Sequence, residues 1–278
     1  MSKQNKGLKR NTIDKFYTKN TIVELCMENI KKYIDIDDND IIIEPSAGNG
    51  SFIDEIKKTV NNYIFYDIEP ENDEIIEQDY LLVNSDDFKD YKDCNIHVVG
   101  NPPFGRQSSL AIKFIKKSCE FCDTISFILP KSFKKDSLKE KFPLNFHLIF
   151  EIDLPEKSFM VNDKEHTVPC VFQIWKRMDS NRNSIEKLKP INFMFVKKDE
   201  NPDISFRRVG INAGVIDTSE NINEKSVQSH YFIKFTNKKT IQHNLEQLSD
   251  ITYIVDNTVG PKSISKQELI FKFNPLLT

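Results

Sequence analysis

Gly100-Asn101-Pro102-Pro103-Phe104-Gly105, directly after the apolar run Ile96-His97-Val98-Val99, is the stretch on which the reading of this chain turns. A short run rich in β-branched residues that ends in two consecutive prolines predicts a buried strand stopping in a stiff turn. Each proline fixes φ and removes a main-chain donor, so the local carbonyls are held outward instead of being consumed in a ladder. What such a turn displays is one carboxamide and one aromatic ring. An ordinary strand-ending turn displays the same, so the rest of the chain decides.

Working outward, the same strand-then-turn pattern recurs on both sides. Ile41-Ile42-Ile43-Glu44 predicts a buried strand, followed by the turn Pro45 to Phe52 and a helix running to about Val60. Asn62 to Asp67 and Ile75 to Asp79 predict two more strands, each ending on an acid. Beyond the central turn, Leu110 to Cys122 reads as a helix, Thr124 to Leu129 as a strand and Lys131 to Lys141 as a basic helical segment. His147 to Leu154 and Val168 to Lys176 read as further strands. Upstream, Thr18 to Tyr33 has helical spacing, with Ile22, Val23, Leu25, Cys26, Ile30 and Tyr33 on one face. Strands alternating with helices predict an α/β fold, a Rossmann-like, doubly wound parallel sheet over residues 14–178. Residues 1–13 are basic and polar and are expected to be disordered. Met178 to Pro190 is a polar linker. The short strand-like runs Ile191 to Val196, Phe206 to Val209 and Tyr231 to Phe235, with a helix over Lys238 to Leu248, predict a small, mostly β module at 190–278. The loop Val259 to Lys266 leads into another short helix or strand.

Composition narrows the class. With 278 residues and 38% hydrophobic content the chain can bury a sizeable core. Its apolar runs are far shorter than the roughly 20 residues that span a bilayer, and no apolar segment follows the basic start. An intracellular, cytoplasmic protein without a membrane partner is expected. Five cysteines argue against a disulfide framework. Cys119 and Cys122 have metal-knuckle spacing without a second pair, which favours two small apolar residues on a helix, and no metal is expected. A net charge of −3 excludes a uniformly basic nucleic-acid binder but not a patch. Lys113, Lys116 and Lys117, and then Lys131, Lys134, Lys135, Lys139 and Lys141, are such clusters.

The strand ends carry the chemistry. Glu44 precedes the glycine-containing turn at Gly48 and Gly50, where backbone can approach a ligand closely. Three-glycine dinucleotide spacing and the lysine of a phosphate loop are both missing. An acid at that point suits an ammonium group better than a phosphate. Asp67, about twenty residues on, is placed to accept from ribose hydroxyls. Asp79 can accept from an adenine amine, with Ile68 and Tyr80 flanking the ring. An ammonium, a ribose and an adenine together describe S-adenosylmethionine.

Here the ordered set Phe16-Tyr17-Thr18, Glu44 to Gly50, Tyr66-Asp67-Ile68-Glu69-Pro70, Asp79-Tyr80 and Asn101-Pro102-Pro103-Phe104 resembles the class I S-adenosylmethionine-dependent amino-methyltransferases of the N6-adenine kind. The motif order is similar to the gamma class known from restriction–modification systems. The resemblance covers about two-thirds of the chain. It implies a methyltransferase that flips an adenine out of a nucleic acid, DNA before RNA, and methylates N6. By resemblance, Asn101, Pro102 and Phe104 form the catalytic loop. Phe16, Tyr17, Thr18, Glu44, Pro45, Ser46, Gly48, Gly50, Asp67, Ile68, Asp79, Tyr80 and Asn101 line the cofactor. Lys19 stands where the family usually has proline. Phe104, Gly105, Phe159 and Lys131 are assigned to the substrate, Phe159 as a second aromatic wall or as core. Target recognition is expected in the C-terminal module, where Arg207, Arg208, Lys262 and Lys266 are candidates.

The residue types suit the reaction. An adenine amine is a poor nucleophile because its lone pair is delocalised into the ring. Hydrogen bonds from its two protons to the Asn101 side-chain oxygen and the Pro102 carbonyl would favour a pyramidal, more nucleophilic nitrogen. Three alternatives share the motif or the fold: adenine methylation of RNA, N-methylation of protein glutamine, and a non-catalytic methyltransferase-fold subunit.

Overall fold

A computed structural model describes residues 16–91, 93–184, 186–253 and 262–278. The tail expected at residues 1–13 and the start of the loop expected at Val259 lie outside them. The chain divides into two compact units, one ending at Asn183 and the other spanning Ser184–Thr278.

The first unit contains β1 (Tyr17–Thr18), α1 (Asn20–Tyr33), β2 (Ile41–Glu44), α2 (Ile53–Lys57), β3 (Asn62–Asp67), β4 (Ile76–Glu77) and β5 (Ile96–Gly100). It continues with α3 (Ser109–Ser118), β6 (Thr124–Pro130), α4 (Asp136–Lys139), β7 (Phe146–Asp153), β8 (Phe159–Val161), β9 (Lys164–His166) and β10 (Cys170–Arg177). Seven strands form one sheet in the order β4-β3-β2-β5-β6-β10-β7. Neighbours from β4 to β6 are parallel, as the alternating pattern predicts. β10 departs from it and runs antiparallel to both β6 and β7.

Every residue of β2, β5 and β6 is buried, which is why these strands read as continuous apolar runs. Alternate side chains serve opposite faces. Ile41, Ile43, Val98, Ile125, Phe127 and Leu129 pack with Ala111, Phe114 and Ile115 of α3. Ile42, Val99 and Ile128 pack with Ile22, Val23 and Ile30 of α1 and Ile53 and Ile56 of α2. At the strands' N-terminal ends, buried His97 bonds Thr124 Oγ1 at 2.8 Å and Asp40 Oδ2 at 3.1 Å, while Asp40 also takes the Asn95 amide at 2.9 Å. Burial lowers the His97 pKa, so the ring is neutral at pH 7 and accepts from Thr124 while donating to Asp40. This network closes the floor of the sheet and leaves the opposite end for ligands.

Several expected elements are shorter. The helix expected to reach Val60 is the five-residue α2, the strand expected over Ile75 to Asp79 is the two-residue β4, and the Lys131–Lys141 segment splits into the turn Lys131–Lys134 and α4. A small sheet, β1-β8-β9, was not anticipated. β8 and β9 are joined by Asn162 and Asp163 at φ 47° and 59°, a two-residue turn of the left-handed kind that twisted hairpins need.

The second unit is an antiparallel sheet in the order β11 (Phe193–Val196), β14 (His230–Phe235), β12 (Ile204–Arg207) and β13 (Ile216–Thr218). Phe193, Ile204, Phe206 and Ile233 form its core with Leu248 of α5 (Ile241–Leu248) and Leu269, Ile270 and Phe273 of α6 (Lys266–Phe273). α6 opens with a reciprocal Ser265/Glu268 capping box.

Candidate active site

The strand order reverses between β2 and β5, since β3 follows β2 on one side and β5 lies on the other. Ligands of open α/β sheets bind at that reversal, beyond the strands' carboxyl ends. Glu44 ends β2 and Gly100 ends β5. Gly100 has φ 147°, and a Cβ there would lie 3.1 Å from Glu44 Cγ and 3.4 Å from its Oε1. A glycine is what lets the carboxyl occupy this place. Glu44 is 2% exposed, and its Oε2 has no hydrogen-bond partner among the described residues. Burial first, and then the nearby Asp67 charge, raise its pKa well above the ordinary 4.5. A buried acceptor without a donor fits a ligand that brings N–H groups or positive charge.

Asn101 stands one residue beyond Gly100. Its Nδ2 donates to the Phe16 carbonyl and to Thr18 Oγ1, both at 3.3 Å. The carbonyl can only accept, so the amide nitrogen must face it, and Oδ1 is left buried without a partner. Ser46 Oγ donates to the Asn101 carbonyl at 3.2 Å, joining the turns after β2 and β5. Among the described residues no donor takes the carbonyl of buried Pro102. The Phe104 carbonyl accepts from Leu110 and Ala111 at 3.1 and 3.4 Å, which ties the turn to the start of α3. Gly105 has φ 67°, and a Cβ there would lie 2.8 Å from Leu110 Cγ. Gln107 and Ser108 follow at φ 53° and 61°. Left-handed non-glycine residues cost about 1–2 kcal/mol each, so the loop is strained beside the site.

Asp67 clasps the glycine turn. Its Oδ2 accepts from the Gly48 amide at 2.8 Å and its Oδ1 from the Glu69 amide at 2.9 Å. Each oxygen keeps a second lone pair with which to accept from a hydroxyl. The Tyr17 ring lies over Gly48, where a Cβ would meet Cε1 at 3.5 Å, and its hydroxyl donates to Glu71 Oε1 at 2.6 Å. A groove of about 570 Å³ opens beside this cover, between the start of α1 at Lys19 to Thr21, Asn49 and Ser51, and the β8–β9 turn. The N-cap residue Lys19 makes no side-chain capping bond to the α1 N-terminus. An orphaned carboxyl, an uncapped helix start and Asp67 thus surround the turns that follow β2 and β3.

Phe16, Thr18, Ser46 and Asn101 are thus joined by hydrogen bonds, as are Gly48 and Asp67, with Tyr17 over Gly48 and Glu44 against Gly100. Pro45 is buried behind them, and Gly50, at φ 86°, turns the chain into α2. Ile68 is 66% exposed, and exposed Asp79 accepts from the Leu81 amide at 2.9 Å. Three assignments need correction. Tyr80 is buried, with its hydroxyl 2.8 Å from Ser118 Oγ and its ring stacked on Phe114, so it is a core residue and flanks no ligand. Phe159 is buried on β8 beside β1; the ring that meets solvent there is Phe16, which packs edge-on against it at 6.2 Å. Lys131 is ion-paired to Asp153 at 3.1 Å, which also holds Lys134 at 2.8 Å, so one carboxylate offsets part of the charge of these two lysines. The β8–β9 turn, Tyr17–Glu71 and the uncapped α1 start went unread; the Asn162-Asp163 pair was the one available signal.

Among solved structures, a Pyrococcus horikoshii protein described as an RNA methyltransferase is 15% identical at a TM-score of 0.48, over 62% of this chain and 92% of that one. The 23S rRNA methyltransferase ErmE is 14% identical at 0.44, over 62% and 72%. The type IIG restriction endonuclease BpuSI is 17% identical at 0.45, over 64% of this chain and 27% of that one. Likenesses this remote say nothing of substrate. No curated protein matches the chain. Residues 35–189, more than half of the sequence, match the family profile of the EDM2 methyltransferase-like domain. The chain belongs to that family, and it is a methyltransferase whose cofactor is S-adenosylmethionine.

Proposed function

We propose that the chain methylates the N6 amine of adenine in a nucleic acid, with Asn101-Pro102-Pro103-Phe104 as the reaction centre. The observation that carries this reading is the pair of unspent acceptors, Asn101 Oδ1 and the Pro102 carbonyl, on adjacent residues of a rigid turn. An exocyclic amine has two protons, and two acceptors are offered.

S-adenosylmethionine, when bound, supplies an electrophilic methyl group on a sulfonium. Glu44 would hold its ammonium, the start of α1 its carboxylate, Asp67 its ribose, and Asp79 with Ile68 its adenine. Drawing both amine protons into hydrogen bonds shifts the nitrogen lone pair out of the ring and stabilises the positive charge that grows on it. The amide is already oriented by Phe16 and Thr18, so little reorganisation is needed as charge develops. Phe104, half-buried against the α1 side of the core, offers its remaining surface to the base. No side chain in the turn is a base, and the proton released after transfer passes to water. These contacts serve DNA and RNA alike, since no residue is committed to a 2′-hydroxyl.

Incubation with labelled S-adenosylmethionine and duplex DNA, single-stranded DNA, structured RNA, capped RNA or mixed peptides, followed by digestion, tests the reading. N6-methyladenine in one of the nucleic acids is expected, and its absence from all four refutes the proposal. Asn101→Ala is expected to lower the transfer rate by about 10²–10³, the range for loss of one preorganised polar group, while cofactor affinity by calorimetry is retained.

A further inference from the structure

The second unit carries a groove of about 580 Å³ that plays no part in the site above. It is lined by Lys197, Lys198, Arg208 and Lys266 against one acid, Asp199, in a chain whose net charge is −3. Three of them, Lys198, Arg208 and Lys266, are held in a way that distinguishes them from ordinary surface cations, while Lys197 is exposed beside them. The Lys266 ammonium lies 4.5 Å from the centre of the Phe195 ring, and the Arg208 guanidinium 5.4 Å from that of Tyr231. Arg208 Nε and Nη2 both donate to the Gln228 carbonyl, at 3.1 and 2.9 Å. Lys198 Nζ is spent on the carbonyls of Asn223 and Lys225, at 2.8 and 2.9 Å. Ring faces and carbonyls immobilise a cation without cancelling its charge. Among the described residues none of the four is ion-paired, whereas Lys131, Lys134 and Lys139 of the first unit all face carboxylates.

We propose that this groove binds the phosphodiester backbone of a nucleic acid through Lys197, Arg208 and Lys266, giving the C-terminal unit a foothold on the polymer independent of sequence. Unneutralised cations in a concave surface, two of them fixed, are the complement of a polyanion, and the guanidinium edge turned away from Gln228 suits the fork geometry of a phosphate. Bases are not what the groove reads. Tyr231 stacks on Phe206 at 6.4 Å and 11° and carries Arg208 over its ring, and its hydroxyl donates to the Ile264 carbonyl at 3.2 Å. Phe195 is covered by Lys266 and meets Phe193 and Tyr231 edge-on. Each ring already carries a cation on a face that a base would stack on. The choice of a nucleic acid over an acidic peptide rests on the adenine reading of the first unit.

The test uses the full chain and fluorescently labelled 20-nucleotide strands of DNA and RNA, with affinity followed by anisotropy between 50 and 200 mM salt. Each phosphate contact on a single strand contributes about 0.7 to the slope of log K against log salt, so Lys197→Gln, Arg208→Gln and Lys266→Gln combined should flatten it by about 2. Affinity should fall about tenfold or more at the lowest salt, with S-adenosylmethionine affinity unchanged and a cooperative melting transition retained, its midpoint lowered only by the lost Arg208 and Lys266 contacts. Lys198 is left in place because it holds the fold. A slope unaltered by the triple variant overturns the groove, as does equal competition by polyglutamate of matched charge. Binding that responds to the variant without any N6-methyladenine overturns the adenine reading and keeps the groove. Methylation with an indifferent slope does the reverse.

Discussion

Thr18→Val removes a single acceptor at nearly constant volume. Thr18 is 5% exposed on β1, and its Oγ1 lies 3.3 Å from Asn101 Nδ2, the same distance as the Phe16 carbonyl. Together these acceptors fix the plane of the amide and so the direction of Oδ1. Valine leaves one N–H of the amide unpaired and only the Phe16 carbonyl to orient it. A neutral hydrogen bond is worth about 0.5–1.5 kcal/mol net, and at 3.3 Å the lower half of that range applies. At about 1.4 kcal/mol per factor of ten, a loss of about 0.5–1 kcal/mol in transition-state stabilisation is about a 2- to 5-fold fall in rate.

The assay is single-turnover methyl transfer at saturating acceptor, with cofactor affinity measured separately by calorimetry. The rate should fall while affinity holds, and Thr18→Ser should restore it. An unchanged rate refutes the orienting role. A loss confined to cofactor affinity makes Thr18 a cofactor contact, the part the family resemblance assigns it.

Glu44→Gln should raise the thermal midpoint of the cofactor-free protein at pH 7 and weaken S-adenosylmethionine binding. A carboxyl whose folded pKa is raised stabilises fully below its ordinary 4.5 and loses that contribution as pH climbs through the folded value, so the variant's advantage should widen from pH 4.5 upward in melting curves. Tyr80→Phe breaks the buried bond to Ser118 and should cost about 1 kcal/mol in denaturant unfolding with cofactor affinity unaltered; a changed affinity would reinstate Tyr80 as a ligand contact. Phe159→Ala should cost about 3–5 kcal/mol, as deletion of a core ring does, whereas Phe16→Ala should leave the unfolding midpoint almost in place and raise KM for the nucleic acid. Equal destabilisation by the two would remove the distinction between a core ring and an exposed one.

The strands that build the site were legible because they are buried on both faces. Ile41 to Glu44 and Ile96 to Gly100 fall where the apolar runs put them. The orientation of β10 was legible in principle. A parallel return needs a crossover of a dozen or more residues, usually a helix, and nothing between Asp153 and Cys170 has helical spacing. β1, β8 and β9 are two or three residues long, too short for any periodicity to register. Tyr80 and Phe159 look like site residues because they follow strand ends, and strand ends hold core and ligand residues alike; only burial separates them. The Lys131 cluster misled for a related reason. Its charge was counted without Asp153, 19 positions from Lys134 in sequence and 2.8 Å away in space.

Five buried side-chain polar atoms lack a partner among the described residues, and three are hydroxyls of Ser126, Ser205 and Tyr253. The other two are the carboxyl oxygen Glu44 Oε2 and the carbonyl oxygen Asn101 Oδ1, and leaving a buried polar group unpaired costs about 1–3 kcal/mol. Both stand at the carboxyl ends of adjacent strands, on either side of Gly100, whose missing Cβ makes room for the Glu44 side chain. Chance burial would scatter such defects over the core. Their convergence on the reversal of strand order, beside a loop with three left-handed or glycine-dependent backbone positions at Gly105, Gln107 and Ser108, places the fold's main unmet polar demand where two ligands with N–H groups would meet it. Cofactor and acceptor should therefore each stabilise the first unit on binding, because each supplies a donor that the folded chain lacks.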